Sequence, residues 1–466
     1  MPRLYLPDLL LVHGHASSGR GLLVAEDGAV VAEATPESAP GATIVRLAGK
    51  ALLPGLANAH SHTFQRLFRA RAEGRRIGGD TFWTWREQMY RAAAFCSPDD
   101  LFDVARATFL EMLASGITLV GEFHYLHNDP AGSAYADPNE LAHQVIRAAQ
   151  SVGIRICLLR TCYMRAGFQK DPHPGQRRFY ETEDAYLRNL DALLASVAGQ
   201  PLVTAGSAPH SIRAVPLDAL KNAAAFAQGR ELPLHMHISE QPAENDACLA
   251  EYGATPVALA AQHGILTPRT TLVHAIHLTE QEFGQVSAAR STICSCPTTE
   301  RNLGDGIFPA DTAARLNIAV AYGTDSQAQI DILEDARQNE YHLRLAQRER
   351  GILDQKFARM PEQSIAARLF SAATANGYRA LGIAGGALAP GQPADFFTVS
   401  LDDLALLGAD AASLESQAVF ALGRSAIRDV AVAGTLVLTD GHHPLDREIR
   451  ARYRSVQQRF ANQEAS

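Results

Sequence analysis

The sequence predicts an α/β protein: a (β/α)8 TIM-like barrel with a small β-sandwich built from its N- and C-terminal segments. Three observations carry this. Eight short apolar runs alternate with longer stretches rich in Ala, Leu, Arg and Glu. Those runs are mostly continuous rather than alternating, as in parallel strands buried on both faces. Both ends of the chain instead read as short strands separated by Gly, Asp and Pro turns.

The first stretch supplies "LLLVHG", "GLLVAED" and "AVVAEA". The eight runs follow: "ALLPGLANAHSH", "GITLVGEFHY", "IRICLLRTCYM", "PLVTAGSAPHS", "ELPLHMHISE", "RTTLVHAIH", "STICSCPTTE" and "NIAVAYGTDS". Helix-compatible segments such as 99–115 and 138–152 lie between them. Eight such units make a barrel with insertions. After about residue 387 the pattern returns to strands in "GQPADFFTVSLDD" and "IRDVAVAGTLVLTDG". Neither terminal piece buries much surface alone, so the two are expected to pair. The expected division is 1–54 and 387–440 for the two halves of the sandwich, 55–386 for the barrel, and 441–466 for a helical tail.

Composition narrows the function. The chain has 466 residues, 47% hydrophobic and 20% charged, which is ordinary for a globular protein. No apolar run reaches membrane-spanning length, and the N-terminus lacks the basic and apolar regions of a signal peptide. A cytoplasmic protein is expected. Six cysteines are too few for a disulfide scaffold. Cys294 and Cys296 could bind metal, but two cysteines on one strand face are more often small core residues. A net charge of −8 without a basic stripe argues against nucleic acid and anionic membranes as partners. The expected partner is a small molecule.

Chemistry in such a barrel sits at the C-terminal ends of the strands. Reactive residues cluster there: His60 and His62; Glu122, His124 and Tyr125; His210; His235, His237 and Glu240; His274 and His277; Asp325. Residues i and i+2 of a strand share a face, so His60 and His62 converge on one point, as a divalent metal requires. His235 and His237 share a face by the same rule, and spacing alone leaves the choice between them open. A single strand-end histidine is commonly a hydrogen-bonded structural residue. Several at the same end of successive strands indicate a metal-centred site.

The motifs "PGLANAHSHTFQR", "LHMHISEQ", "LVHAIH" and "GTDS" together resemble the amidohydrolase superfamily, over the whole chain. Within it, "EFHYLHNDPAG", "SAPHSIRAV" and "DTFWTWREQMY" resemble the formimidoylglutamate deiminase family. The resemblance implies His60, His62, His237 and Asp325 as ligands of a divalent metal. Its pattern of a ligand His followed three residues later by Glu selects His237 and Glu240, leaving His235 to the core or a supporting role. The metal expected is Zn2+, with Fe2+ or Mn2+ also suited to these ligands. Binuclear relatives use a carboxylated lysine or comparable bridging acid. The third and fourth runs contain no lysine, and Lys170 lies in a Pro- and Gly-rich loop, so one metal per chain is expected. Glu122 remains open as a bridging carboxylate.

The implied reaction is hydrolytic deamination of N-formimino-L-glutamate to N-formyl-L-glutamate and ammonia, a step of histidine degradation. The metal would activate water at neutral pH. Asp325 would accept the proton, Glu240 would carry it to the leaving nitrogen, and His274 would hydrogen-bond the water. The dicarboxylate substrate needs local cations, and the planar fork of arginine suits a carboxylate. Arg213 and Arg86, with Gln65, Tyr125 and His210, match the family's substrate-binding set. Arg86 is expected in an aromatic loop with Trp83 and Trp85. Relatives suggest a homodimer. Competing readings are a deaminase of guanine or an adenosine derivative, an imidazolonepropionase-type ring-opening enzyme, and a non-catalytic scaffold, which should have lost ligands.

Overall fold

The computed structural model describes residues 1–73, 82–354 and 364–465. Sixteen strands run in chain order. The first five are β1 (Arg3–Val12), β2 (His15–Ser18), β3 (Gly21–Val24), β4 (Val30–Ala34) and β5 (Thr43–Pro54). The barrel strands are β6 (Leu56–Ser61), β7 (Ile117–His124), β8 (Arg155–Cys162), β9 (Val203–Pro209), β10 (Leu234–Ile238), β11 (Thr270–His274), β12 (Thr292–Ser295) and β13 (Ala319–Tyr322). The last three are β14 (Phe396–Ser400), β15 (Ile427–Val432) and β16 (Thr435–Leu438).

Each of the eight apolar runs forms one barrel strand, and each pairs in parallel with its sequence neighbour from β6 to β13. β6, β7, β10, β11 and β12 are buried along their whole length, which is why the runs lack alternation. Helices lie between them, including Pro98–Leu113 and Glu140–Val152. Ser97 caps the first of these reciprocally with Asp100, and Gly153 ends the second in the left-handed region.

The first run contains two strands rather than one. It breaks at Gly55, between β5 of the outer sheet and β6 of the barrel. A Cβ at Gly55 would lie 2.2 Å from the Thr118 hydroxyl, so only glycine lets the chain cross there. The other sheet joins both ends of the chain in the order β16-β15-β14-β5-β1-β3-β4, with β2 beside β1. It is mixed: β1 and β5 are parallel, while β14 is antiparallel to β5. Tyr5, Leu10, Leu22, Val24, Leu52 and Phe396 form part of its own apolar core. Asp395 ties it to the barrel by accepting from Arg155 at 2.9 Å and from Tyr378 at 2.7 Å.

The barrel closes by unusual means. β13 and β6 share no regular ladder. A single parallel bridge, Ser61 to Asp325, joins them. The Asp325 amide donates to the His60 carbonyl at 3.0 Å, and the His62 amide to the Asp325 carbonyl at 3.1 Å. Asn58 completes the seam, donating to Thr324 Oγ1 at 2.7 Å and accepting from the Thr324 amide at 3.0 Å. Gly323 permits the close approach, since a Cβ there would lie 2.7 Å from His60 Cβ. The terminal helix Asp446–Ala465 packs on Pro98–Leu113 through Arg452–Asp103, Arg459–Asp100 and Arg106–Glu448 pairs. Among the described residues, no helix is long and apolar enough to cross a membrane.

Candidate metal centre

His60 ends the buried face of β6, and His62 follows one pleat later. His237 stands on β10, and Asp325 on the loop after β13. One donor atom from each lies within 4.8 Å of all the others. His60 Nε2 is 3.1 Å from Nε2 of His62 and 3.1 Å from Nε2 of His237. Asp325 Oδ1 is 3.3 Å from His60 Nε2 and 3.2 Å from His62 Nε2.

The second nitrogens fix the tautomers. His62 Nδ1 lies 2.9 Å from the Phe123 carbonyl, and His237 Nδ1 lies 3.1 Å from the His210 carbonyl. A carbonyl only accepts, so each Nδ1 carries the hydrogen and each Nε2 turns a bare lone pair inward. His60 Nδ1 has no hydrogen-bond partner. Burial drives the His60 pKa down to about 3, against the attraction of Asp325, so this ring is neutral at ordinary pH. Burial, reinforced by His210 and His60, also holds His237 well below its usual range. One proton at the centre of this cluster would serve only one neighbour. A divalent cation with bonds of ~2.0–2.1 Å serves all four, and the observed separations are those of donors sharing one ion. The residues present fit the metal.

Backbone strain concentrates here. His274, Ala275, Asp325 and Ser239 all adopt left-handed φ, between +46° and +69°. Non-glycine residues hold such conformations only when their surroundings impose them.

His274 Nε2 lies 3.8 Å from Glu240 Oε1 and 3.8 Å from Asp325 Oδ2. Its Nδ1 lies 3.3 Å from Glu300 Oε1. Glu300 is itself fixed, accepting from the Cys296 amide at 2.7 Å and from Ser295 Oγ at 3.1 Å. Burial alone disfavours a charged ring, but Glu240, Glu300 and Asp325 together raise the His274 pKa well above its usual value. Burial likewise opposes charge on Asp325, yet the neighbouring His60 and His62 rings hold its pKa well below the carboxylate range.

A pocket opens over this centre. Its lining includes His62, His237, Glu240, His274 and Asp325, together with Gln65, Arg86, Tyr125, His210 and Arg213. Of the residues given a role in the site from the sequence, all but His60 line this one cavity, and His60 belongs to the donor cluster with three of them. Gln65 Nε2 donates to the Tyr125 hydroxyl at 2.8 Å. His210 packs edge-on against Tyr163, ring centres 4.6 Å apart, and burial followed by Arg213 keeps its pKa well below normal. Arg86 corrects one expectation. It lies on the helix Phe82–Phe95, not in a loop, and its guanidinium sits over the Tyr90 ring. The apolar residues around it recur at helical spacing, so they pack as a helix face. Trp85 also lines the pocket, while the side chain of Trp83 lies outside the described residues.

Two open questions resolve. His235 Nε2 lies 2.8 Å from the Ala380 carbonyl, away from the cluster, so His235 is a core residue. Glu122 is occupied by three hydrogen bonds of 2.7 Å, from Ser61 Oγ and from the Thr63 amide and hydroxyl. It braces the segment around His62 instead of bridging metals. Cys294 and Cys296 are buried in a small apolar cluster with Val273 and Ala321.

Sequence reading missed Tyr163, Glu300 and Glu244. Tyr163 and Glu300 had a signal, since they stand at the ends of the third and seventh apolar runs, Tyr163 one residue before the last. Glu244 had none beyond lying in the first turn of a helix.

Residues 51–437 match the amidohydrolase family, and the chain belongs to it. It is a hydrolase acting on C–N bonds, in a family whose members bind a metal. Its sequence is 39% identical to formimidoylglutamate deiminase of Pseudomonas aeruginosa, covering 95% of this chain and 96% of that one. An 8-oxoguanine deaminase of the same organism is 29% identical, over 83% of each chain. An amidohydrolase structure from Brucella melitensis superposes with a TM-score of 0.90 at 31% identity, covering 98% of this chain and all of that one (100%). A zinc-bound adenosine deaminase from Xanthomonas campestris shares the fold, with a TM-score of 0.82 at 23% identity over 98% of each chain.

Proposed function

We propose that the protein hydrolyses N-formimino-L-glutamate to N-formyl-L-glutamate and ammonia, with one Zn2+ held by His60, His62, His237 and Asp325. The observation that carries this reading is Arg213. Its guanidinium lines the cavity that holds the metal cluster, and that cavity also contains Arg86. Two arginines suit a substrate with two carboxylates, whereas a planar nucleobase calls for stacking surfaces and amide donors. The 39% identity to a formimidoylglutamate deiminase over 95% of the chain supports the same substrate.

The metal, when bound, supplies Lewis-acid activation of water. The chain supplies the rest. Arg213 and Arg86 bind the carboxylates and set the distance of the formimino carbon from the cluster. Asp325 is an acceptor for the proton of the attacking water, with Oδ2 facing His274 Nε2 at 3.8 Å. His274 presents Nε2 to the incoming oxygen, oriented by Glu300 behind it. Glu240 Oε1, 3.8 Å from the same nitrogen, delivers a proton to the leaving nitrogen. Water adds its oxygen to the formimino carbon, the bond from that carbon to the terminal nitrogen breaks, and ammonia departs.

An ammonia-release assay tests the reading across N-formimino-L-glutamate, formiminoaspartate, 8-oxoguanine, guanine and imidazolonepropionate. The expected result is the highest kcat/KM for N-formimino-L-glutamate. Preference for either purine overturns the assignment, and so does ring opening of imidazolonepropionate, followed separately by loss of its ultraviolet absorbance, without ammonia.

A further inference from the structure

The loop after β8 carries a side-chain amide whose bonding is fully determined. Pro174–Gln176 forms a short turn opened by His173. The His173 backbone N–H donates to Gln176 Oε1 at 3.0 Å. A backbone N–H only donates, so that atom is the amide oxygen and the other end is the NH2. Gln176 Nε2 lies 2.9 Å from the Tyr163 hydroxyl and 3.0 Å from the Tyr90 hydroxyl. One amide hydrogen goes to each phenol oxygen. Each phenol therefore accepts from Gln176 and must direct its own hydrogen elsewhere. Burial holds the arrangement in place: Gln176 is 1% exposed. The Glu181 amide, a few residues on, donates to the Tyr163 carbonyl at 3.1 Å and ties the loop back to this residue.

Tyr163 lines the cavity over the metal cluster, as do Arg86 and Arg213. Its ring packs against His210 and against Phe179, at 4.6 and 5.8 Å between ring centres. Among the described residues, Gln176 is the hydroxyl's one hydrogen-bond partner. A buried O–H without an acceptor is costly. We propose that Tyr163 donates this hydrogen to a carboxylate of the substrate, as a specificity-determining residue beside the two arginines, and that Gln176 is the positioning residue that turns it there. This rests on the dicarboxylate reading of the site. With its oxygen engaged by Gln176, the hydroxyl offers a donor. A carboxylate accepts it, whereas an N–H on the rim of a purine does not. Burial raises the Tyr163 pKa, with Arg213 and Arg86 opposing, so the hydrogen stays on the phenol at neutral pH. The contact adds direction to a cavity whose arginines already supply charge.

The test is steady-state kinetics of the metal-loaded protein. Tyr163→Phe deletes one oxygen and keeps the ring packing. It should raise KM for N-formimino-L-glutamate by about tenfold to a hundredfold, as loss of a hydrogen bond to a charged group does. The kcat should stay within about threefold, because the carboxylates do not change during the reaction. The two monoamides of N-formimino-L-glutamate, each with one carboxylate neutralised, locate the contact. Tyr163→Phe should lower kcat/KM by about tenfold or more for one of them and by less than about threefold for the other. Gln176→Met leaves Tyr163 in place and should show the same preference at about threefold to tenfold, so it decides the matter even if Tyr163→Phe does not fold. A KM for Tyr163→Phe within about threefold of the parent overturns the contact. So does a loss confined to kcat, or one that falls equally on the substrate and both monoamides. An effect of Gln176→Met that persists undiminished in the Tyr163→Phe background overturns the positioning role and leaves the contact standing. Failure of the parent to turn over N-formimino-L-glutamate overturns the substrate reading and this contact with it.

Discussion

Replacing Arg213 with Met should lower kcat/KM for N-formimino-L-glutamate at least a hundredfold. Met keeps much of the apolar stem and deletes the charge and the fork. The cavity it leaves still contains Glu240. A substrate carboxylate would enter with no partner on that side and an acid nearby. Truncating one member of a buried, hydrogen-bonded charge pair costs ~2–5 kcal/mol, which is about 30-fold to several thousandfold. Repulsion from Glu240 places the loss above the bottom of that range. Metal content should not change, because Arg213 is not one of the four clustered donors, His60, His62, His237 and Asp325. Arg213→Lys should recover part of the loss, keeping charge without bidentate geometry. Steady-state ammonia release, with metal analysis of the same preparations, gives both numbers. A kcat/KM for Arg213→Met within threefold of the parent, at full metal content, would remove the physical basis of the dicarboxylate assignment.

Elemental analysis should find about one divalent ion per chain, and His237→Ala or Asp325→Asn should lose most of the ion or most of the activity; two tightly held ions, both needed for turnover, would refute the single centre. Glu240→Gln should retain metal and fold but lose ~10²–10⁴-fold in turnover, since the amide cannot shuttle a proton. Near-normal ammonia release by that variant would rule out Glu240 as the shuttle. Glu300→Gln keeps an acceptor for His274 Nδ1 yet removes its charge. It should lower kcat by about tenfold to a hundredfold with KM little changed, and a change confined to KM would show that Glu300 does not act through His274.

The barrel was legible because its strands are buried on both faces, so each shows as an unbroken apolar run that no surface helix imitates. The same continuity carries the first run across Gly55, where β5 passes into β6, although the expected boundary between sandwich and barrel, at 54/55, falls at that glycine. The metal cluster was legible because His60 and His62 sit one pleat apart on one strand. Period two could not separate His235 from His237. The distinction is one of depth along β10: the outer ring reaches the cluster, and the inner one meets the Ala380 carbonyl. The aromatic residues crowding the Arg86 segment suggest a loop, yet they recur at the spacing of a helix, which is what the segment forms. Glu300 closes the seventh apolar run but was passed over for a different reason. A carboxylate in the first turn of a helix is commonplace, and this one differs only in what the fold brings against it, His274.

The seam between β13 and β6 bears on the chain as a polymer. Asn58 and Thr324, which meet there, are 266 residues apart in sequence. Elsewhere around the barrel each strand is zipped to its neighbour in sequence. At the seam a single backbone bridge stands in for that zipper, and His60, His62 and Asp325 flank it. An ion gripped by those three side chains acts as a cross-link over a loop of that length. In the chain-entropy picture such a link removes about 5–6 kcal/mol of disorder from the unfolded ensemble, as a disulfide of equal span would. Chelation therefore withdraws more than a reagent: it unbuckles the belt that keeps the first and last staves together.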